Sequence, residues 1–275
     1  MRDLKIAVVC MNSDTGEIQK NLDRTELFVS KASEMGVDLI CFPELSITGY
    51  TLHNPIKVYG DLWPDEIIER VVGMAQEKEL IILAGIVEIS DGEKPYISQI
   101  VAGPEGFVGL HRKTHLSPQE KEEYQAGEKI DVFCQKDIIF GIQLCYEAHF
   151  PEMSTVMALK GAHIIFMPHA SPRGTPEEKA QSWLRHLPSR AFDNALFVVA
   201  CNQVGKTREG YTFPGVAVVL NPAGWIMARY EDSQEELIVA DLKGDILEEI
   251  REHKLGYFIP NRRPELYKKL TTPSS

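Results

Sequence analysis

The chain has 275 residues, 44% of them apolar and 25% charged, which is the balance of a globular protein with a sizeable core. No run approaches the roughly 18 apolar residues of a membrane helix, and Met1-Arg2-Asp3-Leu4-Lys5 enters an apolar segment without a signal-peptide pattern, so no membrane contact and a cytoplasmic location are expected. Lysine and arginine total 29 against 40 acids, a formal charge of −11, which argues against nucleic acid as a partner because phosphates need a basic footprint.

In chain order, Leu4 to Val9 reads as a buried strand, and Glu17 to Met35 as a helix with Ile18, Leu22, Val29 and Ala32 on one face and Gly36 at its end. Asp38 to Phe42 is a second buried strand, stopped by Pro43. Asp61, Pro64 and the run Ile67, Ile68, Val71, Val72, Ala75 describe a helix with a capped start. Leu80 to Ile89, Ile97 to Ala102 and Gly106 to Arg112 are strands joined by turns such as Asp91-Gly92 and Gly103-Pro104. Lys113 to Gly127 is polar and irregular, with a short helix around Glu120. Ile138 to Leu144 is a strand that runs directly to Cys145. Then come a helix at Phe150 to Lys160, a strand at Ala162 to Met167, one long helix from Pro176 to Asn194 and a strand at Ala195 to Gln203. Val216 to Leu220, Gly224 to Arg229 and Leu237 to Asp241 are the last strands. The alternation of strands and helices predicts a layered α/β protein, read as one domain over 1–275, with residues 256–275 a polar tail that frays or packs across a partner chain.

The five cysteines (Cys10, Cys41, Cys134, Cys145, Cys201) are odd in number and widely spaced. They carry no zinc or disulfide pattern, and most should be small buried hydrophobes. Three residues nevertheless stand where strands end, which is where α/β layers form pockets. Glu44, in Phe42-Pro43-Glu44-Leu45, follows a buried strand, and desolvation there would raise its pKa toward that of a general base. Lys113 sits in His111-Arg112-Lys113-Thr114-His115. Cys145, in Gln143-Leu144-Cys145-Tyr146-Glu147, occupies a strand-to-helix turn whose positive helix end should favour thiolate. Taken singly, each has an ordinary explanation: a loop acid, a surface lysine, an inert cysteine.

Together they are far more specific. Phe-Pro-Glu, Arg-Lys-Thr-His-Leu and Leu-Cys-Tyr-Glu-x-x-Phe-Pro-Glu, in this order, resemble the nitrilase superfamily of carbon–nitrogen hydrolases. Thr48-Gly49-Tyr50, Tyr124-x-x-Gly127, Lys160-Gly161-Ala162, Ser189-Arg190-Ala191-x-x-Asn194, Val199 to Gly205 and Asn221-Pro222-Ala223-Gly224 extend the likeness from Ile6 to about Leu242. The resemblance implies a four-layer αββα sandwich, usually paired as a homodimer, with a Glu-Lys-Cys triad and no cofactor. Carried onto this chain, Cys145 is the nucleophile, Glu44 the base, Lys113 the oxyanion-holding cation, and Glu120 the second glutamate that many members carry. Thiolate attack on a carbonyl or nitrile carbon would split one hard step into two, and Lys113 with the Tyr146 N–H would hold the oxyanion. The chain departs from the pattern near Asn12, which lacks a glutamine found in many members, at Val216, and at Glu147, where amidase branches often carry aspartate.

Tyr50, Tyr146, Glu147 and His169 are candidate substrate contacts; His149 and Trp183 are weighed beside them. His111 and His115 lie four apart but have no third ligand nearby, so no metal is expected. No phosphate-cradling loop follows a strand, so no nucleotide is expected either. The expected substrate is a small linear amide or N-carbamoyl compound, with the pocket shaped by the loops from Leu52 to Leu62 and Ser171 to Glu178. True nitrile hydrolysis is the alternative raised by Glu147. Acyl transfer is disfavoured by the absence of apolar spans, and an idle binding or scaffold protein by the complete triad.

Overall fold

The computed structural model describes residues 1–59, 63–92 and 94–272. In chain order the first half comprises β1 (Leu4–Cys10), α1 (Ile18–Glu34), β2 (Leu39–Cys41), α2 (Pro64–Glu77), β3 (Ile81–Glu88), β4 (Tyr96–Gly103), β5 (Gly106–Arg112), α3 (Glu120–Glu123) and β6 (Val132–Gln135). Next come β7 (Ile138–Ile142), α4 (Pro151–Leu159), β8 (Ile164–His169), α5 (Pro176–Trp183), α6 (Leu187–Asn194) and β9 (Phe197–Asn202). A small hairpin of β10 (Gly205–Lys206) and β11 (Thr212–Phe213) precedes β12 (Gly215–Leu220), β13 (Ile226–Asp232), β14 (Glu236–Leu242) and α7 (Gly244–Glu252).

The strands form two six-stranded sheets, ordered β14-β1-β2-β3-β4-β5 and β13-β12-β9-β8-β7-β6. Their inner faces meet, β1 against β9 and β12, while α2 packs on β3, β4 and β5 and α5 and α6 pack on β12 and β9. This is the expected four-layer αββα sandwich. Strand alternation assigns the layers. Ile164, Phe166, Phe197, Val199, Ala217 and Val219 join the core between the sheets. Their neighbours Ile165, Met167, Val198, Ala200, Val216 and Val218 join a second core under the outer helices with Met153, Trp183 and Leu187. Burial on both faces is why these strands read as continuous apolar runs.

Some elements differ from the sequence reading. The segment from Pro176 to Asn194 is two helices, because Pro188 has no N–H to bond back to Leu184 and its ring crowds that carbonyl. The strand before Cys145 ends at Ile142, leaving Gln143 and Leu144 as a connector. β6, the β10/β11 hairpin and α7 were not anticipated; they are short, and α7 buries only Gly244 and Leu247, too little for a clear helical stripe. Asp61, read as part of a cap, lies outside the described residues, and α2 begins at Pro64. From Gly256 to residue 272 the chain is mainly exposed 3-10 turns, with Ile259 resting on the second core and Phe258 edge-on to Phe192 at 5.4 Å.

Candidate active site

Glu44 enters the site on a loop sewn to β3. Ile47 N–H donates to the Gly85 carbonyl at 2.9 Å, Ser46 Oγ accepts from Gly85 N at 3.0 Å and Thr48 Oγ1 from Val87 N at 3.0 Å. Gly85 permits this approach: a Cβ there would stand 2.1 Å from the Leu45 nitrogen. The Glu44 side chain is fully buried. Its Oε1 lies 2.7 Å from Lys113 Nζ, and its Oε2 accepts from Ala170 N at 2.9 Å. Gln203 Nε2 holds its main-chain oxygen at 2.8 Å. Burial pushes the carboxyl up to about 7, against the pull of Lys113.

Lys113 directly follows β5, anchored by its N–H to Ile97 O at 2.8 Å. Its ammonium also reaches Glu120 Oε1 at 2.8 Å. Burial alone would lower its pKa, but the two carboxylates outweigh burial and hold it well above the ordinary value, so it stays charged. Glu120 is itself buried at the start of α3, its other oxygen accepting from Ser117 N at 2.7 Å. It belongs to this cluster rather than to a solvated helix face.

Cys145 carries φ of +45° between β7 and a 3-10 turn over Cys145–His149. Burial pushes its thiol up to about 12, with the Glu44 charge adding to the rise and Lys113 and Lys179 opposing it. This corrects the expectation of a helix-stabilised thiolate. A single 3-10 turn follows the sulfur and α4 starts only at Pro151, so the dipole is too small to offset desolvation. The resting group is a thiol.

Glu147 also corrects the sequence reading. It is fully buried and does not line the cavity. Its oxygens accept from Leu144 N at 2.6 Å, Thr114 N at 2.6 Å and Thr114 Oγ1 at 2.6 Å, and one lies 2.8 Å from His111 Nε2. These contacts hold its carboxyl down at about 2 despite burial. Glu147 therefore fastens the Cys145 turn to the segment after Lys113. His111, considered as a metal ligand, is committed to this bond; among the described residues no cluster of metal-binding side chains occurs.

The cavity has a volume of about 650 Å³, and Cys145, Glu120, Tyr146, Tyr50, His169 and Lys179 are among its walls. Glu44 and Lys113 lie just behind that wall. Tyr50 packs edge-on to Tyr211 at 5.4 Å, and burial holds its phenol protonated. Tyr146 sits one residue after the sulfur, its N–H in the first turn of the 3-10 segment. His169 ends β8; its ring lies against Trp183 at 4.4 Å with Nδ1 2.8 Å from Met167 O, and burial keeps it neutral. His149 lines the same cavity and stacks on His186 at 4.6 Å.

Lys179 is the residue that sequence reasoning missed. It is 9% exposed, and its Nζ donates to Ser171 Oγ at 2.7 Å. The available signal was its place on the inward stripe of α5, beside Ala180 and one turn before Trp183.

A family model described as carbon–nitrogen hydrolase matches residues 5–252. A nitrilase of Pyrococcus abyssi is 31% identical, over 96% of this chain and 99% of its own length. An omega-amidase of Saccharomyces cerevisiae is 27% identical over 90% of each chain. The crystal structure of an amidase from Nesterenkonia sp. superposes with a TM-score of 0.82 at 24% identity, covering 97% of this chain and 96% of that one.

Proposed function

The chain belongs to the carbon–nitrogen hydrolase family, and from that premise we propose that it hydrolyses a small linear amide or N-carbamoyl compound with Cys145 as nucleophile, Glu44 as base and Lys113 as the oxyanion-holding cation. One observation carries this reading: a buried ammonium bridges two buried carboxylates immediately behind the wall that presents the thiol.

With the thiol near 12 and Glu44 near 7, the proton rests on sulfur. It moves to Glu44 as the sulfur attacks the carbonyl carbon, so the thiolate forms only with its electrophile in place. The carbonyl electron pair becomes an oxyanion beside the Lys113 ammonium and the Tyr146 N–H, donors fixed before reaction. Collapse breaks the C–N bond, and the proton on Glu44 leaves with the amine as ammonia. Water then gives a proton to Glu44, and the resulting hydroxide attacks the thioester, releasing acid and restoring the thiol. Glu120 holds the Lys113 ammonium in place through its 2.8 Å contact.

The test is ammonia release across ω-amides, N-carbamoyl amino acids, carbamoyl amines and nitriles, run beside Cys145→Ala. A variant as active as the parent removes the mechanism. Turnover of nitriles without amides favours the nitrilase reading, which the buried position of Glu147 leaves without its original motive.

We further propose that two copies pair through the face carrying Phe192, Trp225 and Phe258. All three are exposed, Trp225 at 73%, and Gly224 brings the turn before Trp225 against α6. Sedimentation should give a dimer for the parent and a monomer for Trp225→Asp; a monomeric parent refutes it. A reducing cytoplasm is supported by five cysteines that are all unpaired.

A further inference from the structure

We infer that Lys179, assisted by Arg173, is an anion subsite, and that the amide or carbamoyl substrate taken by Cys145 carries a carboxylate at its far end. The inference rests on the hydrolase reading above and adds the substrate's charge to it.

Three observations support it. First, the lysine is placed at a cost. It is nine-tenths buried, and the only hydrogen-bond partner of its ammonium among the described residues is the neutral Ser171 hydroxyl. Glu177 and Glu178, its neighbours on α5, point away into solvent, and Glu178 is spent on the Thr175 cap at 3.0 Å. A buried cation without a counterion is unfavourable unless something else supplies the charge. Second, its surroundings repel it further. Burial depresses its proton affinity, and Arg173, which lies on the same cavity, lowers it further against an opposing pull from Cys145. Third, the acids of the site are already engaged. Glu44 and Glu120 are held by Lys113, while Glu147 is behind the wall, held by His111 and Thr114.

The part of the cavity wall that carries Lys179 and the solvent-exposed Arg173 therefore has two cations and no acid free to neutralise them. Burial lowers the proton affinity of His149, His169 and His186, which share it, and Lys179 adds to the effect on His149 and His169. A carboxylate on the substrate would complete the electrostatics, pair with Lys179 and aim the other end of the molecule at Cys145. A cationic substrate would meet Lys179 and Arg173 head-on.

The experiment compares kcat/KM for succinamate, glutaramate and N-carbamoyl-β-alanine with the neutral butyramide and valeramide and the cationic N-carbamoylputrescine. The parent should prefer the anionic compounds over their neutral counterparts by roughly 10- to 100-fold, the size of a hydrogen bond to a charged group. Lys179→Met should erase that ratio mainly through KM, and Lys179→Arg should restore part of it. A parent that prefers neutral or cationic amides, or a Lys179→Met that lowers all classes by one factor, overturns the inference. Should no amide be turned over, the hydrolase reading fails, and alkylation still decides the subsite. Mass-mapped labelling of Cys145 by iodoacetate relative to iodoacetamide should fall in Lys179→Met; an unchanged ratio refutes the anion site.

Discussion

The carboxylate of Glu44, delivered from the end of β2 in one sheet, accepts a hydrogen bond at 2.9 Å from the main-chain N–H of Ala170, the residue that follows β8 in the other. Its second oxygen is held by Lys113 at 2.7 Å. The proposed base is therefore clamped between the two sheets, and neither oxygen can turn without breaking a contact.

If Glu44 is the base, activity must follow its ionisation. The group has to be a carboxylate to accept the thiol proton, and burial places its pKa at about 7. kcat/KM should rise with pH along a limb centred near 7. Glu44→Gln should lower kcat by roughly 100- to 10,000-fold and abolish that limb, with stopped-time ammonia assays over pH 5 to 9 as the measurement. A limb that persists in Glu44→Gln would assign the titration elsewhere.

The same carboxylates give opposite signs in stability. Glu44 has a raised folded pKa, so its contribution is fully present below the ordinary carboxylate value of 4.5 and is lost as pH climbs through about 7. Glu147 is lowered from 4.5 to about 2, so its contribution is present above 4.5 and is lost as pH falls through about 2. That shift corresponds to about 3 kcal/mol at neutral pH. Glu147→Gln should cost a comparable amount in urea unfolding at pH 7 and much less at pH 2. Equal losses at both would show that packing, not charge, is at stake.

Lys113 answers to two acids, so removing it leaves both uncompensated. Lys113→Met should destabilise the fold by about 3 to 5 kcal/mol at pH 7 and less at pH 4, where the two carboxyls can be protonated. Chemical denaturation at the two pH values reads the difference. A variant as stable as the parent at both would mean the ion cluster is neutral in energy.

Gly85 tests the support of the base without touching it. A Cβ at this position would overlap the Leu45 nitrogen at 2.1 Å, so Gly85→Ala must push the Glu44 loop away from β3. The expected cost is about 1 to 3 kcal/mol of stability, with kcat falling more than KM rises if the loop holds the proposed base rather than the substrate. Thermal unfolding and steady-state kinetics together check it.

Much of this was legible in the chain because burial on both sheet faces writes itself as apolar runs, and because the residues that end β2 and β5 sit in distinctive local settings. Glu44, Lys113 and Cys145 could be singled out from those settings, but their meeting needed three dimensions. The direction of Glu147 was not legible. Two residues after the sulfur on an α-helix it could have faced the cavity; on a 3-10 turn it points back to Leu144 and Thr114. Lys179 escaped because a lysine among Glu177 and Glu178 looks like surface, and only the inward stripe of α5 marks it out. The break at Pro188 was written in the sequence, whereas the protonation of Cys145 depends on how tightly the surrounding chain closes over it.

The backbone of Cys145 has a consequence of its own. Its φ of +45° is a left-handed conformation that costs an ordinary residue about 1 to 2 kcal/mol and glycine almost nothing. A glycine in that place would relax the turn and make the inert molecule sturdier than its alanine twin. Selection for endurance to heat alone would erode the sulfur from this position.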